Sequence, residues 1–439
     1  MKRGLLLVLV SILCGCLHRL AAAPSPVVPT ATPAPVTPVA GFNVHDFGAT
    51  GDGQTKDTVA LQKALDTCAA AGGGTVVVPP GVYLTGSIVL GADTTLKLEA
   101  RASLVGSPDI TDYPLLPAVR WEGEFRPGHR ALISAEKADH LAIEGPGTIF
   151  GPPISLSQLR NPRGPPLIEL ADCAEVTLEG FTTQYQRLWS IHPVLCRKFT
   201  ARNLTIRSVG ANGDGIDVDS CQDVLIEHCD INTGDDAIAL KSGRGLAAFR
   251  FGHPTENVVI KDCTLVSSIF AGVAFGTEMS GGIRHVRLEH CLISGRQNGI
   301  FIKSRDGRGG AFEDITGEDL TILDSPTFLG INLLNKGIQA SDPVPGQVEQ
   351  WSLLRHVRFH DIKVSHVATL VDARNIPAER PVDGLALVNI TGTCDRAITL
   401  ANAVNVELAG ITVTGFTGPL LTTEHVTGTG LANPAVPLP

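Results

Sequence analysis

The segment Asn212-Gly213-Asp214-Gly215-Ile216-Asp217-Val218-Asp219-Ser220 is followed, after one short apolar stretch, by Gly234-Asp235-Asp236. Carboxylates this dense in an apolar setting act as general acids and bases, metal ligands or turn-formers. If Asp214, Asp235 and Asp236 share one face they cannot all ionise freely, so one keeps its proton and can serve as an acid while another stays a base. Hydrolysis of a glycosidic bond uses such a division of labour. Ca²⁺ held by carboxylate oxygens is the competing reading. Against it, Asp235 and Asp236 are consecutive, and consecutive strand residues point to opposite faces. Asp217 and Asp219 are expected to be structural, capping backbone donors in Gly-rich bends.

The elements that would bring these residues together are repetitive. From about Val176 a short unit recurs: alternating apolar residues, a small or polar bend residue, then a second alternating stretch, as in Val224-Leu225-Ile226-Glu227-His228-Cys229-Asp230-Ile231. It returns at 199–206, 258–265, 286–293, 315–322, 357–364 and 404–413. Pairs of β-branched strands bent at Gly, Asn, Asp or His, repeated at uneven spacing, predict stacked coils of an all-β solenoid. A β-propeller would need a regular four-strand period, which the uneven units do not give. Asp214 and the Asp235-Asp236 pair then lie one coil apart, at similar places near a strand start. Thr58-Val59-Ala60-Leu61-Gln62-Lys63-Ala64-Leu65 has helical spacing and predicts a cap over the first coil, with strands beginning at 75–78 and 86–90. Irregular stretches at 246–254 and 325–346 read as loops walling one end of a cleft.

The 439 residues carry a net charge of −9 and no basic stripe, which excludes nucleic acid as a partner. An acidic chain that binds a polyanion needs a local cluster of Lys and Arg. Met1-Lys2-Arg3 and the apolar run after it predict an export signal over residues 1–23, and so a location in the cell envelope or outside the cell. Leu13-Cys14-Gly15-Cys16 resembles a lipobox that would anchor the chain to a membrane through Cys16, while Ala21-Ala22-Ala23 offers ordinary cleavage. Residues 24–41 are a Pro-rich linker, 42–432 the solenoid domain and 433–439 a frayed tail. Cys229, Cys263 and Cys291 are expected to be inert buried thiols, with Cys221 and Cys229 able to approach through adjacent turns. No zinc-type spacing occurs in the mature chain, so no metal or cofactor is expected; nor is a partner chain, the protein being read as a monomer.

Several motifs together resemble glycoside hydrolase family 28, the polygalacturonases and their relatives. They are Val44-His45-Asp46-Phe47-Gly48-Ala49-Thr50-Gly51-Asp52-Gly53, Arg120-Trp121-Glu122-Gly123, Trp189-Ser190-Ile191-His192-Pro193, the Asn212 and Asp235 segments, Gly276-Thr277-Glu278-Met279 and Lys303-Ser304-Arg305. The likeness runs from Phe42 to about Ile322. It implies a single-stranded right-handed parallel β-helix of the pectin-lyase-like kind, and metal-free, inverting hydrolysis of α-linked galacturonans. By that resemblance Asp235 is the general acid, and Asp214 and Asp236 orient and deprotonate water. Asn212, Lys303, Lys241, Arg305 and Arg120 fall on the substrate side.

Two positions depart from the family. Phe270 stands where it has a His, and Phe301 where it has an Arg. Phe cannot imitate a two-pronged donor to a carboxylate, so either Arg187, Lys241, Arg244, Arg305 or Arg308 supplies the charge beside Lys303, or Phe270 and Phe301 stack on a neutral sugar of another pectic linkage. His192 and Trp189 read equally as structural residues, and Glu278 as part of a strand-end network. A Ca²⁺-dependent pectate lyase and a catalytically silent carbohydrate-binding solenoid are the rival readings.

Overall fold

Alternating apolar residues need a face on which to bury every second side chain, and short parallel strands stacked coil on coil provide one. The computed structural model describes residues 41–155, 157–159, 162–335 and 349–437. The chain winds as a right-handed parallel β-helix. Ile191, Ile216, Ile238, Val273, Ile300 and Leu329 pair in register through successive coils and form one column of the core. All six are buried. The described residues form one compact unit.

The bends explain the Asn, Asp and His that punctuate the repeats. Asp223, Asn257, His285, Asp314 and His356 stack along one edge with φ between 53° and 57°, the left-handed region that Asn, Asp and His tolerate best among residues with a Cβ. Neighbours along this edge bond to each other, Asn257 donating to Asp223 at 2.9 Å and His356 meeting Asp314 at 2.9 Å.

Helix α1 (Thr58–Ala70) covers the first coil and buries Leu61, Ala64, Leu65 and Cys68 at helix spacing. It runs a turn beyond the stretch expected from sequence. The coils also begin earlier than expected, since strand Gly41–Asn43 already pairs with Gly74–Val78. The tail is not frayed where it is described. Gly410 and Ile411 donate to the carbonyls of Val436 and Pro434 at 2.9 and 3.0 Å, so the last residues dock along the final strands. The described cysteines are free and buried, and two columns run through them: Cys196 N–H meets Cys221 Sγ at 3.3 Å, and Cys229 N–H meets Cys263 Sγ at 3.4 Å. Cys221 and Cys229 therefore belong to separate columns. The export signal, the lipobox Cys16, most of the linker and residues 336–348 lie outside the described residues.

Candidate active site

Six strands of one sheet carry the site: β1 (Ile191–Val194), β2 (Ile216–Asp219), β3 (Ile238–Lys241), β4 (Ala271–Phe275), β5 (Asn298–Arg305) and β6 (Thr327–Asn335). On β2 the core takes Ile216 and Val218, which leaves Asp217 and Asp219 on the outer face. Along that face Asp217, Ala239, Ala274, Phe301 and Gly330 are in register. Small residues below and above thus make room for the Phe301 ring.

The three candidate acids lie in the bends just before β2 and β3. Ile216 pairs with Ile238, and Gly215 N–H bonds the Asp236 carbonyl at 3.0 Å, so Asp214 and Asp236 occupy equivalent places on neighbouring coils. Asp235 N–H bonds the Gly213 carbonyl at 3.1 Å and ties the second bend to the first. This approach depends on Gly234, where a Cβ would collide with the Gly210 carbonyl. One carboxylate oxygen from each of Asp214, Asp235 and Asp236 lies within 4.8 Å of one from each of the others. All three side chains are buried.

Their partners differ. Asp235 accepts from the backbone N–H of Asn212 at 2.7 Å and of Asp236 at 2.9 Å. Asp236 accepts from Lys303 Nζ at 2.9 Å and from Ala271 N–H at 3.0 Å. Asp214 Oδ1 has no donor among the described residues. Burial, then the charges of Asp217 and Asp235, push the Asp214 carboxyl well above the usual range. Burial and Asp236 also push Asp235 up, against the pull of its backbone donors and Lys303. A metal ion fits this set poorly, because backbone amides and the Lys303 ammonium already take the oxygens of Asp235 and Asp236 that would ligate it.

The outer face supplies a second layer that the sequence reading assigned differently. Asp217 and Asp219 are strand residues, not bend caps. Asp219 receives Nε and Nη2 of Arg120 at 2.8 and 3.0 Å; burial raises its pKa, but Arg120 outweighs this and holds it below the ordinary value. Lys241 Nζ lies 3.0 Å from Asp217 Oδ1 and 3.8 Å from Glu278, and 4.1 Å above the Trp189 ring. The charges of Arg120 and Lys241, both read as substrate contacts, are therefore shared with carboxylates of the sheet. Burial works against Lys241's charge, yet Asp217, Glu278 and Asp214 raise its pKa well above the usual value. His192 is buried, with Nδ1 3.0 Å from Glu169, and packs edge-on against Trp189, a structural setting.

The remaining candidates spread around the acids. Asn212 holds Asp235 through its backbone N–H. Phe270 precedes Ala271, whose N–H holds Asp236, and so sits one coil beyond Asp235. The Phe301 ring lies 5.6 Å from Lys303 Nζ. Arg305 ends β5, with Nε and Nη1 buried and without hydrogen-bond partners among the described residues. Gly276, with φ of 89° and no room for a Cβ against the Lys303 carbonyl, lets the Lys303 coil pack closely.

Sequence reasoning missed Arg163. It is buried, its guanidinium lies 4.6 Å from the Trp121 ring and 4.9 Å from that of Trp189, and its Nη2 has no hydrogen-bond partner among the described residues. Burial lowers its pKa, and the charges of Glu122, 4.0 Å away, then Asp214, Asp217 and Asp235 work against that. It sits in an aperiodic Pro- and Gly-rich segment, Asn161-Pro162-Arg163-Gly164-Pro165-Pro166, which offers no signal.

The fold and the carboxylate cluster define a class of β-helical enzymes that cleave polysaccharides, and comparison with known proteins narrows it. The family model for glycosyl hydrolases family 28 matches residues 68–341. A probable polygalacturonase of Vitis vinifera is 32% identical over 364 residues, which is 79% of this chain and 73% of that protein. An exo-poly-alpha-D-galacturonosidase of Dickeya chrysanthemi is 24% identical, covering 85% of this chain and 68% of its own. Among solved structures, the exopolygalacturonase of Thermotoga maritima superimposes with a TM-score of 0.73 at 25% identity, covering 86% of this chain and 92% of that one. The chain belongs to glycoside hydrolase family 28. It is a glycoside hydrolase.

Proposed function

We propose that the protein hydrolyses α-glycosidic bonds in galacturonan-type pectic chains, with inversion at the anomeric carbon and without a metal. The observation that carries this reading is the cluster of Asp214, Asp235 and Asp236 with Lys303 bonded to Asp236. The family membership and the galacturonan-directed names of the relatives support the substrate.

In this reading Asp235, raised by burial and by Asp236, protonates the leaving oxygen. Asp236, paired with the Lys303 ammonium, takes the proton from the attacking water. Asp214 positions that water through Oδ1, the oxygen without a donor among the described residues. Inversion rests on the family resemblance and not on spacing. The nearest oxygens approach within 4.8 Å, closer than the roughly 6.5–9.5 Å common between the carboxyl groups of inverting enzymes. Lys303 supplies positive charge for the sugar carboxylate in place of the Arg replaced by Phe301. The export read from the start of the chain suits a polymer met outside the cytoplasm.

Proton NMR of the products at the first turnovers, with chelator present, tests the mechanism. It should show the β-anomer of galacturonate forming first. An α-anomer would refute inversion, and an unsaturated, chelator-sensitive product would replace hydrolysis with lyase chemistry.

A second reading follows from one observation. The partly exposed Phe301 ring, bordered by Ala274 and Gly330, offers a flat apolar face beside Lys303. A neutral or deoxy sugar of another pectic linkage would stack there.

A further inference from the structure

Outside the cleft, one surface holds features that hydrolysis leaves unused. Strands Thr148–Phe150 and Thr182–Gln186 pair in register as far as Phe150 and Gln184. Pairing of Thr182–Gln186 with the next coil, Thr205–Ser208, then shifts between Thr183 and Gln186. Tyr185 sits in this bulge with φ of 59°, a region that a bulky aromatic residue rarely enters. The bulge turns its ring outward, leaving the residue 64% exposed. The ring is stacked on Phe150, with centroids 6.2 Å apart and planes inclined by 19°.

The pair forms one side of a cavity of about 530 Å³ whose lining includes Val82, Val105, Pro153 and Val209, with Arg187 at its margin. Val82 and Val209 are themselves 44% and 41% exposed, so the apolar surface is continuous and not an isolated ring. Arg187 is exposed and makes no ion pair or hydrogen bond among the described residues. A flat aromatic wall over an apolar floor suits the face of a sugar ring, and a free guanidinium suits its carboxylate.

The cavity also adjoins the catalytic bend. Val209 N–H bonds the Gln186 carbonyl at 2.9 Å, and the Val209 carbonyl packs beneath Gly213, the residue before Asp214. Val209 thus links the lining of the cavity to the bend that carries Asp214.

We propose that Tyr185, Phe150 and Arg187 form a distal subsite for a uronic-acid residue of the same galacturonan chain whose scissile bond lies among Asp214, Asp235 and Asp236. The subsite rests on the galacturonan reading. Arg187, one of the cations considered for the cleaved position, then acts at a distance from it and holds the polymer.

Calorimetric titration of the cleavage-disabled Asp235→Asn protein with oligogalacturonides of increasing length tests this. Affinity should rise once the chain is long enough to reach the cavity. In that background Tyr185→Ala and Arg187→Ala should each weaken binding of the long chains about tenfold, with short chains bound as before. Tyr185→Phe, which keeps the stack, should retain the long-chain affinity. An unchanged melting temperature will show that lost binding is not lost fold, and Arg187→Ala, at an exposed margin, carries the test if Tyr185→Ala folds poorly. If both Ala variants bind the longest chain as tightly as the background protein, the distal subsite is overturned and hydrolysis stands. If the background protein binds no galacturonan of any length, the substrate reading fails and the subsite with it.

Discussion

Asp214 and Asp219 lie at opposite ends of one short segment, and their surroundings move their proton affinities in opposite directions. Burial, Asp217 and Asp235 raise Asp214, so the folded protein holds that proton more tightly than the unfolded chain. Its stabilising effect is full below the ordinary carboxylate pKa and is lost as pH rises through the raised value. Asp214→Asn should therefore melt at a higher temperature than the parent, by a margin that widens from acidic to neutral pH, while kcat falls about 10²–10⁴-fold. Thermal unfolding across pH, beside an activity assay, checks both. Asp219 is the reverse. Burial raises it, but Arg120 holds it below the usual range, so its contribution is present above the ordinary pKa and lost as pH falls through the depressed one. Arg120→Ala leaves a buried carboxylate without its partner and should cost about 3–5 kcal/mol near neutral pH, measured by denaturant unfolding. The acids were legible because Asn212-Gly213-Asp214 and Gly234-Asp235-Asp236 are contiguous motifs. Asp217 and Asp219 were read as bend caps from the glycines before them, although the alternation Ile216-Asp217-Val218-Asp219 carries a strand's period of two. Arg163 was not legible, since folding alone brings it between Trp121 and Trp189.

At the scale of elements, the site depends on two bends touching. Asp235 reaches Asp214 because Gly234 lies against the Gly210 carbonyl and Asp235 N–H bonds Gly213. Gly234→Ala should push the second bend outward and lower kcat about a hundredfold, the order of loss that a displacement near 1 Å brings, with a smaller change in KM. Steady-state kinetics would show this, and equal kcat in the variant would mean the contact does not set the geometry. The coil pattern was readable because bend residues and apolar alternation recur together. The antiparallel hairpin of Leu115–Trp121 and Glu124–His129 was not, because nothing in its sequence says that it folds across the sheet to deliver Arg120 to Asp219. Arg244, which leads into helix α2 (Gly245–Phe251), meets this hairpin through its N–H on the Gly123 carbonyl at 3.1 Å and an ion pair with Glu124. The stretch expected as a loop over 246–254 is thus mostly helix α2, and the described part of 325–346 is mostly strand β6, because both pair with or pack on neighbouring elements.

The whole molecule sets the long-range field. With a net charge of −9, the protein repels a polyanionic chain at a distance, while partly buried cations such as Lys303 act at contact. Salt screens the first more than the second, with a Debye length of about 10 Å at 0.1 M. KM for the polymer should therefore fall as ionic strength rises from about 0.01 to 0.1 M, with kcat nearly constant. A rising KM over that range would mean that surface cations, not buried ones, capture the substrate. The central claim is that three acids and their cations hydrolyse a uronic-acid polymer even though Phe stands where the family has His and Arg. Chromatography of the products released by the signal-free protein and its Asp235→Asn variant, from de-esterified homogalacturonan beside rhamnogalacturonan and neutral pectic side chains, tests it most directly. The account predicts saturated galacturonate from homogalacturonan with the parent only. Release from rhamnogalacturonan or the neutral chains alone would contradict it.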